Sequence, residues 1–330
     1  MKIAFHSYQL GERGTEVCLY KYARYNQEIL GNESIIISTS SRPTPSLSLF
    51  EKEFETILYP EVWRNDRNNQ VLKSKFESIV KERGITHFYA IKGGENDHIL
   101  PDNAIGLSHC VFQMHEPHGH VYAGICKYIS DKFGGVHPYV DHIVENEFPG
   151  ISDLREELGI PKDALVVGRH GGKDTFNLDF AKQAIVDSLE RSDLYFLFLN
   201  TDPFYNHERI IHLPYSFDFS YKSRFIETCD AMIHARRDGE TFGLSVGEFS
   251  AKNKAVITCN SLNASHGYDT AHLDFLGEKG IYYQNRDSLY DILVNVDRKS
   301  LIEKDWDAYS QRFSPQNVMH QFEQIFLADK

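Results

Sequence analysis

The chain has 330 residues, and at roughly 100–200 residues per domain this length predicts two domains. Hydrophobic residues make up 41% of the chain and charged residues 25%, a balance that excludes wholesale disorder. The 47 acidic and 35 basic residues give a formal net charge of -12, which disfavours nucleic acid as a partner and leaves only local, peripheral contact with a membrane open.

Cysteine usage and the apolar runs indicate the compartment. The five cysteines are scattered without a C-x-x-C pair, a pattern typical of buried reduced thiols rather than of disulfides or a zinc site. The first residues lack the long apolar run of a signal peptide. The longest apolar stretches, such as residues 194–199, are far shorter than the roughly 18 residues that span a bilayer. We therefore expect a cytoplasmic protein.

Short apolar runs alternate with amphipathic segments along the chain. The predicted strands are residues 3–7, 34–38, 86–91, 110–114, 142–145, 164–168, 194–200, 209–213, 231–235, 255–259 and 280–283. The main predicted helices are residues 16–30, 71–83, 180–188, 220–228 and 315–327. Strands that alternate with helices predict parallel sheets covered by helices on both faces, an α/β fold.

The alternation restarts after a turn cluster at residues 148–153, followed by a predicted short helix at 153–158. We place the domain boundary there. The first doubly wound domain is predicted to comprise residues 1–149 and the second residues 150–330. The sequence leaves open whether the last helix packs back on the first domain.

The strongest local pattern lies between residues 230 and 248. An apolar strand runs into a polar loop, and a helix is predicted to begin near Phe242 or Gly243. Ligands of open parallel sheets bind at such strand ends, and the first N–H groups of a helix can hold a phosphate. If both Glu240 and Glu248 were helical they would be ~12 Å apart along the axis. They can serve one extended ligand only if Glu240 lies in the loop and Glu248 inside the helix.

Two glycine-containing loops offer further candidates. Arg169 and Lys173 follow a predicted strand, where a planar guanidinium and a mobile ammonium could bind a diphosphate, although solvated side chains are the ordinary alternative. Gly11 and Gly14 are spaced as Gly-x-x-Gly and not as the G-x-G-x-x-G of nicotinamide-binding folds. We expect Glu16 to cap or pair at the start of the helix that follows.

Three histidines fall within residues 115–120, which suggests a metal site. However, Pro117 breaks the helix on which an H-E-x-x-H zinc site depends, and the spacing of the histidines is wrong for it. We therefore expect no metal.

Residues 240–244, Glu-Thr-Phe-Gly-Leu, followed by Glu248, resemble the E-x7-E segment of retaining GT-B glycosyltransferases of the family 4 type. Three other segments are similar to that family in the expected order. Residues 10–16 resemble its first glycine loop, residues 153–161 its interdomain entry, and residues 167–173 its basic pair. The resemblance spans residues 1 to about 285. It implies the GT-B fold, in which two Rossmann-like domains face a cleft.

The resemblance also implies an activity: transfer of a sugar, with retention, from a nucleotide-diphosphate donor to a glycan or another hydroxyl acceptor. UDP- and GDP-sugars are the expected donors, and no cofactor is required. In this interpretation Glu240 faces the sugar, Glu248 accepts hydrogen bonds from the ribose, and Gly243 and Leu244 offer N–H groups to the diphosphate. The implied catalytic residues are Glu240, His115, Lys173 and Arg169, with His118 as the second choice for the sugar-contacting histidine. The implied donor-binding residues are Gly14, Thr15, Arg169, Lys173, Phe242, Gly243, Leu244 and Glu248.

Three alternatives stay open. The chain could be a sugar-nucleotide hydrolase or epimerase of the same fold, a degenerate GT-B domain that binds a glycan or partner without catalysis, or a metal hydrolase at residues 115–120. The sequence leaves the donor base, the acceptor and the oligomeric state undetermined.

Overall fold

The computed structural model describes residues 1–40, 44–60, 66–262 and 267–328. The chain folds into two compact units. One comprises Met1–Ile143 together with the C-terminal segment that begins at Phe313, and the other comprises Val144–Arg312. The first change of unit falls between Ile143 and Val144, whereas the sequence pattern placed it after residue 149.

The first unit contains a six-stranded parallel sheet in the order β3-β2-β1-β4-β5-β6. Its strands are β1 (Lys2–His6), β2 (Glu33–Thr39), β3 (Glu55–Tyr59), β4 (His87–Lys92), β5 (Ile105–Cys110) and β6 (Val121–Gly124). Its helices before residue 144 are α1 (Gly14–Glu28), α2 (Leu47–Glu51), α3 (Asp66–Arg83) and α4 (Lys127–Lys132).

The second unit contains a six-stranded parallel sheet in the order β14-β12-β10-β7-β8-β9, and a two-stranded ladder of β11 with β13. The strands are β7 (Leu165–His170), β8 (Leu194–Leu199), β9 (Ile210–Leu213), β10 (Ala231–His234), β11 (Gly239–Glu240), β12 (Ala255–Cys259), β13 (Asp269–Thr270) and β14 (Gly280–Tyr283). The helices are α5 (Asp179–Asp187), α6 (Phe219–Thr228), α7 (Leu244–Ala251), α8 (Ala271–Leu276), α9 (Arg286–Asn295) and α10 (Arg298–Glu303).

Both sheets have the same doubly wound topology. In each, the first three strands step outward to one side, and the chain then returns to the middle to add the remaining strands on the other side. The prediction of two doubly wound α/β domains with parallel sheets is therefore confirmed. In sheets of this kind the strand order reverses beside the first strand, and ligands bind at the carboxyl edge near that point. In the second unit this point lies between β7 and β10.

The strands of parallel sheets are apolar on both faces because helices cover both. In β8, Phe196 and Phe198 pack into one core with Val167 of β7 and Ile185 of α5. Leu197, which points the other way, is also fully buried. This double burial explains why β8 could be predicted from its apolar run alone.

Three predicted elements are wrong. The strand predicted at 110–114 lies earlier, as β5, because the apolar pattern of 111–114 belongs to a loop in which Phe112 is 57% exposed. His109 of β5 is buried and bonded instead: its ring lies 2.7 Å from Tyr89 Oη and 2.9 Å from the carbonyl of Val140. Residues 142–145 form no strand, and the predicted helix at 153–158 is absent, since residues 155–159 form turns.

The C-terminal segment belongs to the first unit. It forms α11 (Pro315–Phe322), which continues into a π-helical turn at Glu323–Leu327. The ring of Phe322 lies 5.6 Å from that of Tyr22, and the ring of Phe326 lies 5.3 Å from that of His109. These aromatic contacts complete the core of the first unit. Of the helices described, none is both long and apolar enough to cross a membrane.

Candidate functional site

Polar side chains gather at the carboxyl edge of the sheet in the second unit. Arg169 and His170 end β7, and His234 ends β10, beside Thr258 of β12. Because these strands are parallel, their last residues share one edge. The fold thus brings together Arg169 and Thr258, which lie almost ninety positions apart in the sequence.

Glu240 lies in β11, in the loop before α7, and its side chain is 17% exposed. Its Oε1 is 3.2 Å from His234 Nε2, and its Oε2 accepts a hydrogen bond of 2.9 Å from Arg236. Burial alone would raise the pKa of this carboxyl, but the hydrogen bond from His234 and the charge of Arg236 lower it to about 2. Glu240 is therefore ionised at neutral pH and can only accept hydrogen bonds.

Helix α7 begins at Leu244, four residues after Glu240. Gly243 is its N-cap with φ +86°, and a Cβ at this position would lie 3.1 Å from the Cβ of His272, so a larger residue would be both strained and crowded. Among the described residues, no N-cap side chain satisfies the first N–H groups of α7, which include that of Leu244. The ring of Phe242 packs in the core, 5.4 Å from that of Phe275. Gly243 and Leu244 thus lie at the helix start, as the sequence indicated.

Glu248 lies inside α7 and is 7% exposed. Its Oε1 accepts a hydrogen bond of 2.5 Å from Lys222 of α6, and its Oε2 lies 3.1 Å from His170 Nε2. The ring of His170 stacks on Phe249 at 5.6 Å between centroids. Burial lowers the pKa of His170, although the nearby carboxylate opposes this effect. Glu240 thus lies in the loop and Glu248 in the helix, the placement on which the hypothesis of one shared ligand depends.

Arg169 and Lys173 occupy different environments. Arg169 is 5% exposed, and its guanidinium donates to Thr201 Oγ1, to Thr175 Oγ1 and, at 2.9 Å, to the carbonyl of Gly172. Burial lowers the pKa of Arg169 to about 10, so it keeps its charge at neutral pH. Lys173, by contrast, has a side chain that is 69% exposed, with Nζ 3.3 Å from Asp202 Oδ1. Arg169 therefore braces the loop between β7 and α5, while Lys173 projects from it.

The glycine loop of the first unit leads into α1, whose first residues are Gly14 and Thr15. The N–H of Arg13 donates to Glu16 Oε2 at 3.2 Å, so the prediction that Glu16 caps this helix is confirmed. Burial raises the pKa of Glu16 to about 7, although hydrogen bonds from the N–H groups of Glu16 and Arg13 partly oppose it.

The two candidate histidines of the loop after β5 differ in availability. His115 is exposed and stands edge-on to Phe133, with 4.6 Å between centroids. The ring of His118 is held on both sides: Lys92 Nζ lies 3.0 Å from Nε2, and Nδ1 lies 2.6 Å from the carbonyl of Glu116. Since Lys92 can only donate, Nε2 accepts and Nδ1 carries the proton. His118 is thus neutral and already fully bonded. Across the described ranges no group of three side chains could hold a metal ion.

Sequence reasoning missed several residues of this edge. His234 and Arg236 hold Glu240. Lys222 holds Glu248, and His170 lies beside it. Thr258 and His272 lie behind His234. The sequence did offer one signal for two of them. His234 ends an otherwise apolar strand, and Arg236 lies only four positions before Glu240. Lys222 and His272 gave no such signal, because only the folded chain brings their helices to this edge.

No protein-family model matches the chain, and no curated protein matches it. Solved structures of similar shape exist. The chain superimposes on HepE from Anabaena in complex with UDP-glucose with a TM-score of 0.72 and 14% identity, covering 98% of both chains. A glycosyltransferase from Rickettsia africae gives a TM-score of 0.70 with 15% identity, over 97% of this chain and 94% of that one. A putative UDP-N-acetylglucosamine 2-epimerase from Listeria monocytogenes gives 0.62 with 11% identity, over 99% and 97%.

These likenesses extend over nearly the whole chain, and at 11–15% identity they establish its fold. Each of the two doubly wound units has its counterpart in the solved structures.

Proposed function

We propose that this chain is a retaining glycosyltransferase of the GT-B, family 4 type. It transfers a sugar from a UDP- or GDP-sugar to a glycan or another hydroxyl acceptor. The observation that carries the proposal is the ionised Glu240 in the loop before α7, with Glu248 inside that helix. The UDP-glucose held by HepE, a protein of the same fold, supports this choice of donor.

The donor diphosphate binds at the first turn of α7, where the N–H groups of Gly243 and Leu244 and the helix dipole favour an anion. Lys173 supplies a mobile positive charge, and Arg169 holds the loop that carries it. The carboxylate of Glu248 accepts hydrogen bonds from the ribose hydroxyls. Phe242 contributes through its backbone, because its side chain packs in the core.

Glu240 accepts hydrogen bonds from the hydroxyls of the transferred sugar. With a pKa of about 2 it is a weak base, and His234 and Arg236 already bind it, so it does not act as the proton acceptor. The bond between the anomeric carbon and the diphosphate oxygen breaks. The acceptor oxygen bonds to that carbon from the same face, and its proton passes to the departing diphosphate. Positive charge and N–H dipoles at α7 stabilise the charge that develops on the leaving group.

In the first unit, we assign His115 to contact with a sugar hydroxyl, since its ring is exposed while that of His118 is fully bonded. Gly14 and Thr15, at the start of α1, line the glycine loop, where the absence of a Cβ at Gly14 permits close approach of a ligand.

A second candidate function is hydrolysis or epimerisation of a sugar nucleotide. The likeness to a putative UDP-N-acetylglucosamine 2-epimerase favours it. Release of free sugar, or formation of an epimer, without any acceptor present would distinguish this activity from transfer.

The first experiment is a thermal-shift panel with UDP, GDP, ADP, CDP and their common sugar conjugates, with and without EDTA. A ligand at about 100 times its Kd stabilises the fold by ~2.7 kcal/mol, which shifts the midpoint by several degrees. We expect one diphosphate to stand out, regardless of EDTA. A flat panel from folded protein would refute the proposal in favour of a domain that binds no nucleotide sugar.

Variants then test the residues. Glu240→Gln and Lys173→Ala should each lower turnover by about two orders of magnitude without unfolding the chain, because each removes charge aimed at the donor. The matched controls are Glu208→Gln and Lys182→Ala, which change exposed or half-exposed residues of the same unit. Near-normal transfer by both site variants would refute the site assignment.

A further inference from the structure

A chain of buried side chains stands behind the Glu240 carboxylate. His234 Nε2 lies 3.2 Å from Glu240 Oε1, and His234 Nδ1 lies 2.9 Å from Thr258 Oγ1. Thr258 Oγ1 in turn lies 3.2 Å from His272 Nε2. We call His234, Thr258 and His272 the imidazole chain. All three are buried, with exposures of 4%, 0% and 0%.

The fold accounts for this alignment. In the parallel pairing of β10 with β12, His234 is the direct partner of Thr258, so both side chains project to the same face of the sheet. His272 lies in the first turn of α8, and its ring centroid is 4.7 Å from that of His234. Three separate elements thus meet behind one carboxylate.

The order of protons along the imidazole chain follows from Glu240. An ionised carboxylate can only accept, so His234 Nε2 carries a proton and donates it. In the Nε2–H tautomer of His234, Nδ1 is an acceptor, and the Thr258 hydroxyl donates to it. The Thr258 oxygen is left to accept from His272 Nε2. Every hydrogen bond therefore points toward Glu240, an arrangement in which each bond polarises the next.

The imidazole chain is not explained by stability alone. Within the part of the chain that the structure describes, His272 Nδ1 is buried without a hydrogen-bond partner. An unsatisfied buried polar atom costs free energy, and apolar side chains of similar volume would fill the same space without that cost. Because this polar network lowers stability and lies beside a candidate site, we infer that it has a role at that site.

We propose that the imidazole chain positions Glu240 for sugar transfer. His234 fixes Oε1 and Arg236 fixes Oε2, so the carboxylate keeps one orientation, and the remaining lone pairs of its oxygens face the sugar hydroxyls. Thr258 and His272 touch no substrate; they fix the tautomer and the ring orientation of His234. This inference rests on the proposed function and adds three positioning residues to it.

Thr258 offers the sharpest test, since valine has the same shape without the hydroxyl and serine keeps the hydroxyl. With UDP-glucose as donor, measured by UDP release, Thr258→Val should lower kcat about tenfold or more while KM changes by no more than about twofold. Thr258→Ser should stay within about twofold of the unaltered chain. Thr228→Val is the matched control: Thr228 is equally buried in the same unit and donates to the carbonyl of Arg224, away from Glu240. It should lower the melting midpoint and leave kcat unchanged.

A second measurement does not depend on turnover. Nitrogen NMR of labelled histidines, with His234 assigned through a His234→Gln variant, reports which ring nitrogen is protonated. We expect the Nε2–H form in the unaltered chain and in Thr258→Ser, and a mixture of tautomers in Thr258→Val. If the spectra match this expectation but no sugar nucleotide is turned over, the proposed function fails and the arrangement around Glu240 stands. An Nδ1–H form of His234 in the unaltered chain, or an unchanged kcat in Thr258→Val, would overturn the inference.

Discussion

The capping carboxyl of α1 predicts a pH dependence of stability. Glu16 is 2% exposed, and burial raises its pKa from 4.5 to about 7. At 1.36 kcal/mol per pKa unit, this shift corresponds to about 3 kcal/mol. The folded chain holds the proton over a range of pH in which the unfolded chain has lost it. The contribution of Glu16 to stability is therefore fully present below pH 4.5 and is lost as the pH rises through about 7.

The variant Glu16→Gln isolates this contribution. A glutamine oxygen can still accept from the N–H of Arg13, but it carries no charge to bury. Relative to the unaltered chain, the free energy of unfolding of the variant should rise with pH, from near zero at pH 4 to about 3 kcal/mol at pH 8.

Urea unfolding followed by circular dichroism at unit steps between pH 4 and pH 8 measures this difference. Glu12→Gln, which changes an exposed residue of the same loop, is the control and should show a difference that does not vary with pH. If the difference for Glu16→Gln is equally flat, or falls as the pH rises, then burial does not govern the ionisation of this group.

Three further substitutions test the packing. The side chains of Arg155 and Asp230 are 7% and 6% exposed and 2.9 Å apart, so Arg155→Met leaves a buried carboxylate with fewer partners. The free energy of unfolding in urea should fall by about 3 kcal/mol or more. A fall below about 1 kcal/mol would contradict this reasoning. Gly168→Ala puts a Cβ 2.2 Å from Cys229 Sγ, so the melting midpoint should fall sharply and recover in part with Cys229→Ala; no recovery would exclude this clash as the cause. Phe322→Ala should cost about 3–5 kcal/mol through the cavity it leaves, measured by calorimetry, and an unchanged midpoint would contradict its place in the core.

The elements that could be predicted from the sequence are those whose local pattern and burial agree. The strands β12 and β14 were predicted residue for residue, because their mostly apolar runs, rich in β-branched and aromatic residues, are typical of strands. The strand β5 was misplaced because its buried His109 is satisfied by partners remote in sequence, which no local pattern reveals.

Some features of the candidate site could likewise be predicted from the sequence, and others could not. The positions of Glu240 and Glu248 around the start of α7 followed from the spacing and from the predicted helix, because both lie in one continuous segment. The difference between Arg169 and Lys173 did not, since the acceptors that bury Arg169 come from the loops after β7 and β8. His272 was missed for a similar reason: its role depends on where α8 packs, and that is a tertiary property.

The return of the last segment to the first unit has a consequence for the order of synthesis. Phe322 and Phe326 are 0% and 1% exposed, and Gln321 accepts a hydrogen bond of 2.9 Å from the N–H of Asp141. On the ribosome, residues 1–143 therefore emerge before the segment from Phe313 onward, and they lack part of their core until that segment has also emerged. The second unit, Val144–Arg312, is continuous and can close earlier. The half that is made first is thus the half that finishes last, and a chain that stops short of Phe313 would leave it incomplete.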